Sequence, residues 1–153
     1  MSTVRASIEI PACRIAEAEA LWYDAARWPA FIDGLKYVDK LEGDHPRAGA
    51  RVVWDSFPHG RGRVIERVIE FTEREGQRLE VEDEAIRGTQ RVSFKAAGGA
   101  TWVGLELVYE IKARTIVTPL TDLLFIRRAQ RESLARTLLR FRRELDPAAG
   151  QIT

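Results

Sequence analysis

Residues 119–145 read PLTDLLFIRRAQRESLARTLLRFRREL, a run with no Gly or Pro after Pro119. Such a composition predicts one long helix. Pro119 stands where a first-turn proline is tolerated, with Thr118 before it as a cap. Pro147 and Gly150 stop it. At about 1.5 Å per residue the helix reaches roughly 40 Å. Leu120, Leu123, Leu124, Leu134, Leu138, Phe141 and Leu145 form one apolar stripe, and the seven arginines between Arg127 and Arg143 lie mostly off it. A helix with one apolar face needs a broad apolar partner.

The preceding chain supplies it as strands. Residues 35–41 alternate, with Leu35, Tyr37 and Leu41 on one side. Residues 51–57 put Val52, Trp54 and Ser56 on one face, and Phe57-Pro58-His59-Gly60 turns the chain. Residues 78–84 turn Leu79 and Val81 inward and the acidic side chains outward. Residues 89–96 group Gln90, Val92 and Phe94, Gly98-Gly99 reads as a hairpin, and residues 101–113 group Val103, Leu105, Leu107, Tyr109 and Ile111. The strand at 63–72 has two readings. Its odd positions (Arg63, Ile65, Arg67, Ile69, Phe71) are the more apolar and are turned inward here, which brings Arg67 into the interior. With the even positions inward Glu66 enters instead, and a bulge would push both to solvent.

At the start, residues 3–10 alternate as a half-buried strand ended by Pro11. Residues 14–25 form a helix with Ile15, Ala18, Leu21, Trp22 and Ala25 as its stripe. A single helical turn follows Pro29 and closes at Gly34. Short turns make the strands antiparallel neighbours. The economical assembly is an α+β fold: a curved antiparallel sheet of about seven strands wrapped around the long C-terminal helix, with two short helices after strand 1. One domain over residues 1–147 and a short tail at 148–153 are expected.

Composition narrows the function classes. The chain has 153 residues, 45% of them hydrophobic and 31% charged, which is ordinary for a globular protein. Lys plus Arg number 24 and Asp plus Glu 23, so no global field marks a nucleic-acid partner. Gly60-Arg61-Gly62-Arg63 reads as a turn rather than an RNA-binding tract, because aromatic interleaving is missing. No apolar stretch approaches the roughly 20 residues that span a bilayer, so stable membrane insertion is not expected. A lone Cys13 offers no internal disulfide, and the first 13 residues lack a signal-peptide pattern, so a cytoplasmic location is expected.

Three segments carry a resemblance. Tyr23-Asp24-Ala25-Ala26-Arg27-Trp28-Pro29-Ala30-Phe31, Gly60-Arg61-Gly62-Arg63-Val64 and Leu123-Leu124-Phe125-Ile126-Arg127-Arg128-Ala129, in this element order, resemble the START/Bet v 1-like (SRPBCC) superfamily, including its polyketide cyclase/dehydrase and lipid transport group. The resemblance covers nearly the whole chain. It implies the helix-grip fold and a pocket between sheet and helix that holds a lipid, quinone or polyketide-like molecule. In a few members it implies cyclase or dehydratase chemistry. No cofactor is implied.

The inward positions nominate a cavity lining: Trp28, Tyr37, Trp54, Ser56, Arg67, Gln90, Phe94, Leu107, Tyr109, Leu123 and Arg127. Polar groups on an inner face need partners, which a watered or liganded cavity provides. They can equally pair with each other or sit at the sheet rim. For catalysis no residue is assigned. Tyr109 with Arg67, or Asp55 near the rim, are the candidates for acid–base work, each with a structural reading beside it. A metal site is not expected: His45 and His59 lie in loops without a second ligand at suitable spacing. On the outer sheet face Val53, Trp102 and Val108 suggest a homodimer contact, or packing under long charged stems. Three functions stay open: a carrier of a hydrophobic ligand, an enzyme using the same cavity, and an interaction module.

Overall fold

The structure, a computed structural model, describes residues 1–112 and 120–146, and at the start of the last helix the side chains from residue 122 onward. The expected cap at Thr118 and Pro119, the stop at Pro147 and Gly150, the tail at 148–153 and the Leu120 side chain lie outside the described residues.

Strand β1 (Ser2–Ile10) leads into helix α1 (Ile15–Trp22), a single 3-10 turn (Ala25–Arg27) and the one-turn helix α2 (Trp28–Phe31). Six strands follow: β2 (Leu35–Glu42), β3 (Arg51–Ser56), β4 (Arg63–Thr72), β5 (Gly76–Glu82), β6 (Ile86–Ala97) and β7 (Ala100–Ile111). Helix α3 (Leu120–Leu145) closes the order. The sheet has seven strands in the order β1-β7-β6-β5-β4-β3-β2, and every pairing is antiparallel. This is the expected helix-grip architecture, with α3 packed on β1 and α2.

Local chemistry explains the helical connection. Helix α1 stops at Trp22, short of the expected Ala25. Asp24 caps the 3-10 turn by accepting from the Ala26 N–H at 3.2 Å. An Asp at that position competes with helix continuation. Trp28 donates its indole N–H to the Trp22 carbonyl at 2.7 Å, and Trp22, Phe31 and Phe141 pack with ring centroids 5.2–5.7 Å apart. That aromatic cluster fastens α1 and α2 to the C-terminal half of α3.

The sheet corrects the sequence reading in two strands, and in both the cause is a register shift. In β4, Val64, Glu66 and Val68 face inward, in register with Trp54 and Val52 of β3 and with Val81 and Leu79 of β5. Ile65 and Arg67 face outward. Arg67 is 62% exposed and pairs with Glu80 at 2.8 Å, so it does not enter the interior. A shift between Val68 and Glu70 then reverses the phase, and Phe71 turns inward opposite Gln77 and packs on Tyr23 with centroids 5.4 Å apart. The odd-face pattern was apolar because it mixed residues from both sides of a bulge. In β2, shifts between Leu35 and Tyr37 and between Val38 and Lys40 put Tyr37 opposite Asp55 on the outer face, half exposed. Leu41 is also largely exposed at this edge strand.

Strand β5 begins at Gly76, two residues earlier than expected, and buries Gln77 on the inner face. Asp83 is buried rather than turned to solvent, because it continues the inward phase of Leu79 and Val81. In α3, Leu124 and Phe125 are 57% and 72% exposed, so the stripe does not include Leu124. The buried side runs through Leu134, Thr137, Leu138 and Phe141. Strands β6 and β7 approach so closely at Gly88 that a Cβ there would strike the Val108 carbonyl, which only glycine avoids.

Candidate functional site

Between the inner sheet face and α3 lies a cavity of about 60 Å³. Trp54, Val52, Glu66, Val68, Gln77, Leu79, Val81, Gln90 and Leu105 wall it from the sheet. Trp22, Trp28, Ile32 and Asp33 come from the helical connection, His45 and Arg61 from loops, and Ser133, Leu134 and Thr137 from α3. The register explains the grouping. Val52, Glu66 and Val81 are cross-strand partners in one row, and Val68, Leu79, Gln90 and Leu107 form the next.

The polar wall is built around Trp54. Its indole N–H donates to Glu66 Oε1 at 2.8 Å, and the Arg61 guanidinium lies over its ring, 5.4 Å from the centroid. Arg61 Nε donates to Asp83 Oδ2 at 2.8 Å. Asp83 also accepts from the Ala85 and Ile86 N–H groups at 2.8 and 2.9 Å. Arg61 Nη2 is buried without a hydrogen-bond partner among the described residues. Glu66 is largely withdrawn from solvent. That desolvation raises its carboxyl above the usual range, only partly opposed by the Trp54 hydrogen bond and the Arg61 charge. Burial likewise lowers the His45 imidazole, favouring its neutral form. Gln77 Nε2 donates to the Pro46 carbonyl at 3.0 Å.

Asp33 holds the opposite side. Its carboxylate accepts from Ser133 Oγ at 2.8 Å, from Arg136 at 3.0 and 3.1 Å and from Arg140 at 3.1 Å, while its N–H donates to Thr137 Oγ1 at 2.9 Å. Partial burial pushes its pKa up, but the hydrogen bonds from Arg136 and Ser133 and the two arginine charges outweigh that and hold it low.

Of the residues nominated from sequence, Trp28, Trp54 and Gln90 line this cavity. Phe94, Leu107 and Tyr109 are buried in the core beside it. Ser56 sits inward at the β3–β4 turn, its hydroxyl buried without a partner among the described residues, outside the lining. Leu123 is partly buried on α3, and Arg127 is exposed. Tyr37 and Arg67 lie on the outer face, so Arg67 cannot meet Tyr109, which is inside. Asp55 faces outward and accepts from Arg63. The sequence reading missed Arg61, Gln77, Asp83 and His45. Phase along β5 marked Gln77 and Asp83; nothing periodic marks a loop residue such as Arg61.

A larger groove of about 510 Å³ crosses the outer face near Arg67, but its charges are satisfied: Arg67 pairs with Glu80, Arg87 with Glu110 and Glu82 with Lys112. Trp102 lies across Gly104, where a Cβ would collide with its ring, and Lys95 covers it at 5.0 Å. Among the described residues no three His, Cys, Asp or Glu side chains group as a metal site, and no helix is long and apolar enough to cross a membrane.

Comparison with solved structures recognises the fold. A START superfamily protein from Mycobacterium smegmatis superposes with a TM-score of 0.71 at 17% identity, over 94% of this chain and 99% of that one. The chain has the START/Bet v 1-like fold. A protein from Thermus thermophilus gives a TM-score of 0.74 at 20% identity, over 98% and 99% of the two chains. Norcoclaurine synthase from Thalictrum flavum, in complex with dopamine and hydroxybenzaldehyde, gives 0.68 at 11% identity, over 94% and 86%. No family model and no curated protein matches the sequence.

Proposed function

We propose that this protein binds a hydrophobic small molecule, lipid, quinone or polyketide-like, in the cavity between its sheet and α3. One observation carries the reading: Arg61, which lines a cavity walled by Trp, Val and Leu side chains together with a few polar groups, keeps a buried guanidinium nitrogen, Nη2, without a partner among the described residues. An unmet buried donor costs about 1–3 kcal/mol, and a ligand that meets it recovers that cost. Apolar walls with a few convergent polar groups are the common form of a small-molecule site. The fold supports the reading as well, since the similar norcoclaurine synthase holds small aromatic ligands.

Native mass spectrometry of freshly purified protein, followed by solvent extraction, tests this. A reproducible lipophilic adduct is expected. A clean apo mass, together with no tryptophan response to a panel of lipophiles, would defeat the reading.

A second reading is a cyclase or dehydratase-type enzyme using the same cavity. Glu66 favours it, because desolvation raises its carboxyl pKa, and a carboxyl shifted in that direction is suited to act as a general acid. Under that reading Glu66→Gln abolishes turnover of a bound polyketide-like substrate while binding persists. Under the carrier reading no turnover exists to lose.

A further inference from the structure

Resting on the cavity-binding reading above, we propose that the ligand is recognised through an uncharged carbonyl oxygen, which accepts hydrogen bonds from Arg61 Nη2 and from the carboxyl of Glu66.

Geometry and charge both select that group. Arg61 is fixed on two sides, by Asp83 at 2.8 Å and by stacking over Trp54, and the nitrogen left over is a donor only. Glu66 Oε1 is used by Trp54, which leaves Oε2 for the cavity. Arg61 and Glu66 form no ion pair with each other, although both line the same space. Asp83 already neutralises Arg61, and burial favours the uncharged form of Glu66, which then offers an O–H. With Glu66 protonated, this wall of the cavity presents two donors and no net charge. A ketone, aldehyde or quinone oxygen answers both, whereas a carboxylate would meet no free countercharge on this wall.

Ligand affinity then depends on pH. The groups facing Glu66 are Arg61, held by Asp83, and the Trp54 indole. His45 and Asp33 also line the cavity, the latter held by Arg136 and Arg140 of α3. His45 is pushed toward neutrality and Asp33 is held ionised, so Glu66 is the group whose proton the carbonyl needs.

Three compounds of one carbon skeleton test the proposal: α-tetralone, tetralin and the tetralin carboxylate, titrated while reading the tryptophan indole N–H resonances. α-Tetralone is expected to bind at least about tenfold more tightly than tetralin, since a hydrogen bond from a charged donor is worth about that factor. Its affinity should fall as pH rises and Glu66 ionises. Arg61→Met should weaken the ketone preference several-fold, leaving only the share that the Glu66 donor supplies. Glu66→Gln, which keeps an N–H donor and the Trp54 acceptor, should keep the ketone preference and remove the pH dependence. The carbonyl carbon resonance of isotope-labelled α-tetralone should move downfield in the wild-type complex, a readout that needs no variant. Equal binding of ketone and hydrocarbon, or an unmoved carbonyl resonance, overturns this inference and leaves the cavity reading standing. Tighter binding of the carboxylate overturns the claim of neutrality. Binding of none of the three overturns both.

Discussion

Glu66 shows how one residue's environment sets a property that its type does not. Most glutamates here lie at the surface, and several pair with arginine across strands. Glu66 faces inward beneath Trp54 with a raised pKa. The sign of its contribution to stability follows. A group whose folded pKa exceeds its unfolded value binds its proton more tightly in the folded state. Its stabilising contribution is complete below the unfolded pKa, roughly 4.3, and is lost as pH rises through the folded value. Glu66→Gln cannot titrate. Its stability relative to wild type should therefore increase with pH across that window and level off above it. Chemical denaturation of both proteins at several pH values checks this, and a difference that stays flat or shrinks with pH would refute the buried-carboxyl account. Asp83 is a residue of the opposite kind, its carboxylate satisfied by Arg61 and two backbone N–H groups. Asp83→Ala strands all three donors, and a loss of about 3–5 kcal/mol is expected in the same denaturation experiment.

At the scale of elements, α3 illustrates what burial decides. Phe141 is fully buried against Trp22 and Phe31, while Phe125 on the same helix is mostly exposed. Phe141→Ala should cost about 3–5 kcal/mol and Phe125→Ala less than about 0.5 kcal/mol, measured by urea unfolding. Similar losses for both would contradict the observed orientation of the helix. The element order and the helix itself were legible in the sequence because their signals are long: a run without Gly or Pro, and alternation along β6 and β7 that the structure keeps unbroken. The phase of β2 and β4 was not legible. Each contains a bulge, and one extra residue moves every later side chain to the other face. The odd positions of β4 look like one apolar face, yet Ile65 and Phe71 belong to different faces. That slip also turned Arg67 toward the interior, where the alternative phase places Glu66. Trp54 and Gln90 line the cavity where the alternation of their strands holds, and Trp28 reaches it from the short helix, where no strand phase applies. Arg61 was not legible, because a loop residue has no phase and only the folded chain sets it over Trp54.

For the molecule as a whole, the governing quantity is the cavity volume, about 60 Å³. That is room for a few waters, whereas sites for drug-sized ligands span roughly 300–1,000 Å³. A ligand of that size requires the walls to part, and the walls are unequal. The sheet is a continuous antiparallel ladder from β1 to β2, and widening it would break backbone hydrogen bonds in long runs. The seam between α3 and the α2–β2 connection is held instead by side chains, chiefly Asp33 with Ser133, Arg136, Thr137 and Arg140. Such contacts are each worth about 1–3 kcal/mol, so this seam opens first. Saturation with α-tetralone is therefore expected to change amide hydrogen exchange at residues 31–35 and 133–141, and to leave the β6–β7 ladder unchanged. Asp33→Ala should raise the ligand dissociation rate by about tenfold while the core strands keep their protection. The same seam should loosen in acid. The Asp33 carboxylate is held low by its partners, so its contribution is present above its unfolded pKa and is lost as pH falls through the folded value. Ligand-linked exchange confined to β6 and β7, or a dissociation rate indifferent to Asp33, would mean that the sheet rather than the helix seam admits the ligand.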